Sequence, residues 1–554
     1  MMYEQLKGLS TFEQVELLTK TLVSYPSYSG TEGETLKANV VQEIIYSFPY
    51  FQQSPEHVWS QSILEDLYQR KNVFALIRSN KKTKRTIILH AHIDTVHTSD
   101  YGAIQSIAHQ PDALLRYFKQ DHVPEELKKE AESGDWLFGR GSLDMQSGVA
   151  VHLANMLYFS ENLDELEGNL LFIFNPDEEA EHVGIKAAVK ELYRLYKTEN
   201  FQFELAINND FITPLYEGDQ TKYIYTGTAG KVLPAFYIQG RESHVGEALT
   251  AIDPTVLSSE IVRRVAYNLD FMEEIDGEHV MPPSVLLQRD EKEAYNVQTP
   301  LSATLYLNYF IYEKSIQNVI YELKAVTQEV AEDMSAKMQK TYESYCRERN
   351  IAEKSIDWSI KVQTFQEFVK ELEDRGVNTT EITTRVFASN GERDARQIAF
   401  RLIRELVAHD PGTTPRIIVF LATPYLPNHT IERDTPEGKR IIASIEKAAN
   451  EISDATGEQF AMKRFFPFLA DGNFLNFSGS ETDLQMLREN FPAQEKLFPI
   501  PFDEMKEMQI PAINLGVYGK DGHRWTERVY KPYSFETLPL LIRSVIKHLF
   551  RETK

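Results

Sequence analysis

The stretch TIILHAHIDT, residues 86–95, leads from a short apolar run into two histidines and an aspartate. Its apolar part, residues 86–90, is rich in branched side chains, which is typical of a strand buried on both faces. In α/β proteins, ligands bind beyond the carboxyl ends of such strands. Because alternate side chains of an extended chain point to one face, His92 and Asp94 would lie together there. We expect His92 to bind a metal and Asp94 to orient its ring; the alternative is a strand-end histidine with a capping aspartate.

Similar strands alternate with helices along the first part of the chain. Apolar strand-like runs occur at 72–77, 86–90, 170–174 and 204–208, and helical spacing of apolar residues occurs at 11–24, 145–158 and 184–196. Such alternation predicts an α/β fold in which helices flank a mostly parallel sheet.

The pattern changes after Tyr225. Longer strand-like runs then alternate with helix-rich stretches: strands at 231–240, 302–310 and 416–422, and helices from about 254, at 313–339 and within 363–408. The first pattern resumes near Thr435. Because 554 residues are too many for one compact core, we predict a catalytic domain formed by 1–225 and 431–554. An inserted α+β domain at 226–430 interrupts it.

Composition limits the classes of partner. The net charge of −23 disfavours binding to nucleic acid or to anionic membranes. No apolar run is long enough to cross a bilayer, and the first residues, MMYEQLKGLSTFEQVELL, do not have the pattern of a secretory signal. The single cysteine, Cys346, fits a reducing compartment and excludes a thiolate-rich zinc site. We therefore expect a cytoplasmic protein that would bind metals through histidines and carboxylates.

Two further clusters near the predicted strands carry carboxylates. In GRGSLDM, residues 139–145, Asp144 lies on a glycine-rich turn, where it would either cap the next helix or bridge two cations with its two oxygens. In NPDEEA, residues 175–180, three adjacent carboxylates follow a buried strand and repel one another, so a nearby cation is expected. Either Glu178 or Glu179 could ligate a metal while the other transfers a proton. The alternative is a solvated acidic loop.

Two more candidates complete the set. Asp210 ends another predicted strand, and His523 lies in a turn near the end of the chain. Each is weak evidence alone, because a lone aspartate in a loop or a lone histidine in a turn is common. The ordered succession of such residues after several strands indicates a shared site at one edge of the sheet.

The order of these motifs resembles that of a metallopeptidase family that includes carboxypeptidase G, acetylornithine deacetylase, succinyl-diaminopimelate desuccinylase and aminoacylase. The segments that carry the resemblance span nearly the whole chain: HAHIDT (90–95), GRGSLDMQSG (139–148), NPDEEAEHVG (175–184), GRESHVG (240–246), NVQTP (296–300), ADGNF (470–474) and KDGHRWTE (520–527). No single segment is specific, but their combination in this order is.

The resemblance implies a role for each candidate residue. His92 and Asp210 would bind one divalent metal ion, and Glu179 and His523 would bind a second. Asp144 would bridge the two ions, which are expected to be zinc, although manganese and cobalt suit the same ligands. The remaining roles concern catalysis: Glu178 would be the general base, Asp94 would support His92, and His244 of the inserted lid domain would stabilise the oxyanion.

The implied function is hydrolysis of an amide bond in an N-acyl amino acid or a short peptide by a metal-activated bridging water. The lid domain would form a homodimer. The size and insertions resemble a branch of the family linked with arginine utilisation, which implies a place in amino-acid catabolism. Three alternatives stay open: an aminopeptidase whose acidic residues 177–181 anchor a free amino terminus, a catalytically silent binding or regulatory relative, and a protein with a purely structural metal.

The sequence departs from the family pattern in three places. Asn308 stands near the position where the family often has an arginine that holds a substrate carboxylate. Either the substrate lacks that carboxylate, or another cation such as Arg393 or Arg396 holds it. Residues 100–134 would form an inserted surface element or active-site flap. Residues 340–385 would form an extra stretch of the lid.

Overall fold

The computed structural model describes residues 2–388, 394–410, 414–468 and 470–551. The chain divides into two compact units. The first comprises Met1–Thr228, His429–Phe477 and Pro501–Lys554, and the second comprises Ala229–Asn428 and Ser478–Ile500.

The strands are numbered along the whole chain. They are β1 Val58–Ser62, β2 Lys71–Ile77, β3 Arg85–His92, β4 Trp136–Phe138, β5 Asn169–Asn175, β6 Gln202–Asn208, β7 Lys222–Tyr225, β8 Gly227–Thr228, β9 Gly230–Gln239, β10 Glu274–Ile275, β11 Glu278–His279, β12 Ser284–Asp290, β13 Ser302–Ile311, β14 Lys361–Thr364, β15 Arg416–Leu426, β16 His429–Thr430, β17 Phe460–Lys463, β18 Ala512–Leu515, β19 Gly519–Lys520 and β20 Arg528–Tyr530.

The α-helices are numbered in the same way. They are α1 Met2–Leu6, α2 Thr11–Val23, α3 Glu32–Tyr46, α4 Pro49–Gln53, α5 Pro111–Phe118, α6 Glu125–Ser133, α7 Gln146–Glu161, α8 Val183–Glu199, α9 Pro254–Val265, α10 Ile316–Arg349, α11 Phe365–Asp374, α12 Thr379–Ala388, α13 Ala395–Ala408, α14 Pro436–Thr456, α15 Glu481–Asn490, α16 Gln494–Leu497, α17 Phe502–Met508 and α18 Leu538–Arg551.

Among the described residues, the main sheet of the first unit has eight strands in the order β1-β2-β5-β3-β6-β18-β7-β17. Its centre is parallel, because β5, β3, β6 and β18 run in one direction. His92 pairs with Asn175 of β5, and His90 pairs with Asn208 of β6. The carboxyl ends of these central strands are therefore level, and the loops that follow them start at one edge of the sheet.

Local sequence explains the central elements. Ile87, Leu89 and Ala91 of β3 are fully buried in the main core. Helix α7 is buried along nearly its whole length, which accounts for its small and apolar composition. Helix α2 begins with a capping box, in which the Ser10 hydroxyl accepts a hydrogen bond from the Glu13 N–H and the Glu13 carboxylate accepts one from the Ser10 N–H.

The second unit contains a sheet in the order β12-β13-β9-β15-β14. Its strands are antiparallel except for the pair β14 and β15. Helices α11 to α13 contribute to a core on this sheet that includes Phe368, Phe400 and Phe420. The two units confirm the predicted α/β fold with an inserted α+β part.

Some expected boundaries differ from the structure. The sequence predicts that residues 478–500 belong with the rest of 431–554 to the catalytic domain, but Ser478–Ile500 groups with the second unit. The physical reason is apolar contact, because Ala493 and Leu497 pack against the core of that unit. Helix α10 also runs beyond the expected 313–339, from its N-cap Ser315 to a left-handed C-cap at Asn350.

The insertion predicted at 100–134 is a folded element with its own core. It contains a 3₁₀ segment, Ser99–Ile107, followed by α5 and α6. Tyr101, Leu114 and Phe118 form an apolar cluster with Phe138 of β4. The insertion is thus a packed subdomain of the first unit.

Within the described ranges, we find no helix with the length and apolarity required to span a membrane.

Gly168, which directly precedes β5, is closely packed, and this packing leads to a prediction about stability. A methyl group added at Gly168 would overlap the Phe550 ring of α18. We expect Gly168→Ala to lower the free energy of unfolding by about 1–3 kcal/mol, measured by urea denaturation. In a Phe550→Ala background the ring is absent, so Gly168→Ala should cost much less. An equal cost in both backgrounds would show that the ring is not what excludes the methyl group.

Candidate metal centre

The loops after the level central strands carry the candidate ligands. Asp94 follows β3, Glu178 and Glu179 follow β5, and Asp210 follows β6. These side chains are buried or nearly so, although each lies in or next to a loop. A buried carboxylate requires a hydrogen-bond donor or a cation as its partner, so the partners of each residue define the centre.

The carboxylate of Asp144 lies between two histidines. Its Oδ1 lies 3.0 Å from Nε2 of His92, and its Oδ2 lies 2.9 Å from Nε2 of His523. The same nitrogen of His523 lies 2.9 Å from Oε1 of Glu179. Each oxygen of Asp144 thus faces a different histidine, which is the arrangement expected of a ligand shared by two cations.

Two groups of potential ligands share Asp144. His92, Asp144 and Asp210 offer ligand atoms within 4.8 Å of one another, and so do Asp144, Glu179 and His523. Glu178 lies beside both groups, since it has the same proximity to His92 and Glu179. The structure therefore brings together the residues that the sequence nominated as metal ligands, with Glu178 next to them.

The helix-cap interpretation of Asp144 is wrong. The N-cap of α7 is Met145, and no side chain caps that helix. The Asp144 carboxylate is directed to the two histidines instead, so its position before the helix serves the centre.

Asp94 fixes two parts of the centre at once. Its carboxylate accepts hydrogen bonds from the backbone N–H groups of Glu178 and Glu179, both at 3.1 Å, and from the Ser29 hydroxyl at 2.6 Å. Its Oδ1 also lies 3.4 Å from Nδ1 of His92. One buried carboxylate therefore orients the His92 ring and the loop that carries Glu178 and Glu179.

Left-handed backbone occurs at three non-glycine residues of the centre. The φ angles of Asp177, His182 and His523 are 70°, 53° and 65°. The N–H of His182 donates to the Asp177 carbonyl at 2.7 Å, which closes the turn that presents the acidic loop. Such conformations are unfavourable for most residues and are concentrated at functional sites, where surrounding contacts hold them.

The carboxylates of the centre repel one another in a buried environment. Burial raises the pKa of Glu178 well above its usual range, and the charges of Asp471, Glu179 and Asp210 add to this rise. Burial and the charge of Asp144 raise the pKa of Glu179 to about 7. The same two causes raise the pKa of Asp210 well above its usual range. The centre consequently favours any positive charge that can enter it.

The pKa values of His92 and His523 are also raised, in this case by their carboxylate partners and against the effect of burial. Burial alone would lower the pKa of His92, but hydrogen bonds with Asp144 and Asp94 raise it well above its usual value. The pKa of His523 is raised to about 11 because hydrogen bonds with Asp144 and Glu179 outweigh burial. Protons on these rings would thus balance part of the negative charge when no metal ion does so.

The donor set fits divalent metal ions. It consists of imidazole nitrogens and carboxylate oxygens, which zinc, manganese and cobalt all accept. The single cysteine, Cys346, is buried on α10 of the second unit and provides no ligand to this set. Several buried carboxylates with few protein cations make an unstable arrangement unless metal ions compensate their charge.

Glu527 was not identified from the sequence, although it lies in the quoted segment KDGHRWTE. Its buried carboxylate accepts hydrogen bonds from the N–H groups of Leu143 and Asp144 at 3.0 and 3.2 Å. It also pairs with Arg140 at 2.7 Å, and Arg140 binds Asp100 at the same distance. Glu527 thus holds the backbone of the Asp144 loop.

Asp471 was also missed, although ADGNF was among the quoted segments. Its Oδ1 lies 3.0 Å from Nδ1 of His182, and its Oδ2 accepts a hydrogen bond from the Asn175 amide. It therefore ties the end of β5 to the start of α8, on either side of the acidic loop.

The cation expected beside residues 175–180 is Arg70. Its guanidinium forms a buried ion pair with Asp177 and lies 3.3 Å from Glu34. Among the three adjacent carboxylates, Arg70 balances the negative charge of Asp177 only. The charges of Glu178 and Glu179 therefore remain available to the metal centre.

The folded insertion supports the loop of His523. Glu130 of α6 accepts a hydrogen bond from the Lys520 ammonium at 2.8 Å. The rings of Phe118 and Trp525 stack with centroids 5.6 Å apart. Because Lys520 and Trp525 flank His523 in sequence, the insertion restrains this loop on both sides.

The second unit presents His244 on an exposed loop. The N–H of Gly246 donates to Nδ1 of His244 at 3.1 Å, so the neutral ring carries its proton on Nε2. The loop is held by the segment around NVQTP, because the N–H of Val245 donates to the Val297 carbonyl at 2.9 Å. Nε2 of His244 is therefore a preset hydrogen-bond donor.

The structure places Asn308 and Arg396, two of the residues considered for binding a substrate carboxylate, in the second unit. Asn308 lies half-buried on β13 and pairs with Ser284 of β12. The Arg396 guanidinium binds the carboxylate of Asp394 at 2.8 Å, so its charge is already balanced locally. Arg393 lies outside the described residues.

Comparison with known proteins gives consistent results. Residues 88–475 match the profile of peptidase family M20/M25/M40. The chain is 46% identical to Protein RocB of Bacillus subtilis (strain 168) over 551 residues, which covers 100% of this chain and 97% of RocB. It is 32% identical to the uncharacterized protein YqjN of the same strain over 552 residues, which covers 98% of each.

Solved structures show the same fold. A tripeptidase from Staphylococcus aureus aligns with a TM-score of 0.52 at 10% identity, covering 98% of this chain and 99% of that one. An M20 family metallo-carboxypeptidase from Sulfolobus solfataricus aligns with a TM-score of 0.51 at 12% identity, covering 97% and 100%.

The family match spans most of the chain, and the similarity to RocB extends over its full length. Both agree with the resemblance drawn from the order of motifs. The chain belongs to peptidase family M20/M25/M40 and is a hydrolase of the M20 metallopeptidase type.

Proposed function

We propose that this protein hydrolyses the amide bond of an N-acyl amino acid or a short peptide with the help of two divalent metal ions. The observation that carries the proposal is the shared Asp144, whose two oxygens each face one histidine and one group of ligands. A structural metal would need only one closed set of ligands, so two adjoining groups favour catalysis.

The ligands divide between two ions as follows. His92 and Asp210 would hold one ion, Glu179 and His523 would hold the other, and Asp144 would hold both. When bound, the ions supply positive charge that polarises the scissile carbonyl group and lowers the pKa of water. We expect zinc in this centre, and manganese and cobalt suit the same donors.

Glu178 has the position and the electrostatic environment of a general base. It is buried beside both groups of ligands, and its pKa is raised by burial and by neighbouring carboxylates. Its carboxylate would accept a proton from the attacking water and then donate it to the leaving nitrogen. Asp94 would keep Glu178 in place through the backbone hydrogen bond.

His244 would donate a hydrogen bond from Nε2 to the oxyanion of the tetrahedral intermediate. Exposed apolar side chains flank it, since Val245 and Val297 are 57% and 46% exposed. The edge strand β12 exposes Leu286 as well. These features support a homodimer formed through the second unit, in which His244 acts in the partner's active site.

The resemblance to the branch linked with arginine utilisation supports a role in arginine or other amino-acid catabolism. In the aminopeptidase alternative, residues 177–181 anchor a free amino terminus; within that segment Asp177 is buried in its ion pair with Arg70 and is therefore not available to an ammonium group. The single buried cysteine, Cys346, supports the cytoplasm as the place of action.

Glu178→Gln should leave metal binding intact and lower kcat by about 10²- to 10⁴-fold, because the variant cannot transfer the proton. The assay measures release of a free amino acid from N-acyl amino acids and dipeptides by the metal-loaded enzyme. Glu217→Gln makes the same change at an exposed loop position and should retain full activity. Full activity of Glu178→Gln would reject this residue as the base.

The number of metal ions bound per chain tests the proposal that Asp144 binds both ions. Asp144→Asn should impair both sites, whereas Asp210→Asn should leave the second ion bound. Elemental analysis after dialysis against limiting zinc should give two ions per chain for the wild type, about one for Asp210→Asn and fewer for Asp144→Asn. Two tightly bound ions in Asp144→Asn would contradict the sharing.

Mixing two inactive variants tests His244 and the dimer together. His244→Ala should lower kcat without loss of metal. When Glu178→Gln and His244→Ala chains are mixed equally and allowed to exchange, about a quarter of wild-type activity should return, because half of random dimers contain one intact site. If the mixture stays as inactive as its components, His244 does not act across a dimer.

A further inference from the structure

The second unit contains a cavity of about 370 Å³. One wall is a face of α12 that bears threonines, and the other is formed by α15 and α16 of the Ser478–Ile500 segment. This volume lies within the range of pockets that bind small molecules, about 300–1,000 Å³. No part of the proposed hydrolysis uses this cavity.

Three charged side chains line the cavity without an ion-pair partner. Within the part of the chain that the structure describes, Arg488, Glu495 and Lys496 form no salt bridge. By contrast, Arg385 on the same helix α12 pairs with Glu405 at 3.6 Å. Two positive charges and one negative charge therefore remain available to a ligand.

The threonine wall has a defined polarity. The hydroxyls of Thr383 and Thr384 donate to the carbonyls of Thr379 and Thr380, each at 2.9 Å. The Thr379 hydroxyl donates to Glu373 at 2.7 Å. Because these hydroxyl protons are already used, the threonine oxygens can only accept further hydrogen bonds. This wall therefore suits a ligand group that donates, such as an ammonium.

The opposite wall suits an anion. Lys496 is positioned by the Phe387 ring, whose centroid lies 4.9 Å from the ammonium nitrogen. The guanidinium of Arg488 offers the paired donors that match a carboxylate. Glu495, on the same wall, would repel a purely anionic ligand but would attract an ammonium.

We infer that this cavity binds a free α-amino acid. The carboxylate of the ligand would lie between Arg488 and Lys496. Its ammonium would donate to Glu495 and to threonine oxygens such as that of Thr383. A simple anion such as phosphate would satisfy only the two cations, and a simple amine would leave them unpaired. The inference is independent of the proposed hydrolysis.

Calorimetric titration of the metal-loaded, full-length protein tests this inference. The probes are glycine, L-leucine and L-arginine, with 4-methylpentanoate, isoamylamine and inorganic phosphate as compounds that lack one or both recognition groups. We expect saturable binding of at least one amino acid at one per chain. The compounds that lack the carboxylate or the ammonium should bind about tenfold or more weakly, because each loses charge-assisted hydrogen bonds.

Substitutions locate the binding site. Arg488→Gln and Glu495→Gln should each weaken amino-acid binding by about tenfold to a hundredfold. Arg349→Gln removes the same charge from an exposed position of α10 and should leave binding unchanged. The inference is overturned if no amino acid of the panel binds, if Arg488→Gln binds as the wild type does, or if phosphate binds as tightly as the amino acids.

Discussion

The structure of the first unit depends on one electrostatic constraint, the gathering of carboxylates in a buried space at the end of a parallel sheet. Asp144, Glu178, Glu179 and Asp210 lie near one another, and all are buried except Glu179, which is partly buried. Like charges at such distances are unfavourable unless protons or cations compensate them. The rest of the unit supplies a framework stiff enough to hold these groups together in spite of their repulsion.

That framework works through buried polar contacts around the centre. Asp94 binds the acidic loop, Glu527 binds the Asp144 loop, and Asp471 ties β5 to α8. Each of these carboxylates is buried and accepts hydrogen bonds from backbone or side-chain donors. Hydrogen bonds to a buried charged group are strong and directional. Cations entering the centre would thus find their ligands already arranged.

The sequence predicted the strands and nominated candidate ligands that the structure brings together, because both are local signals. Short apolar runs identify buried strands, and HAHIDT or NPDEEA follow such runs directly. The supporting contacts of Glu527 and Asp471 could not be predicted, because each joins segments hundreds of residues apart and depends on the finished fold. The return of Ser478–Ile500 to the second unit was missed for a similar reason, since no change in composition marks either end of this segment.

Anomalous X-ray diffraction at the zinc edge, from crystals of the zinc-loaded protein, tests the central claim most directly. We expect two peaks about 3.5–4 Å apart on either side of the Asp144 carboxylate. One should lie beside His92 and Asp210, and the other beside Glu179 and His523. A single peak enclosed by one set of ligands, or no peak at this position, would contradict the account.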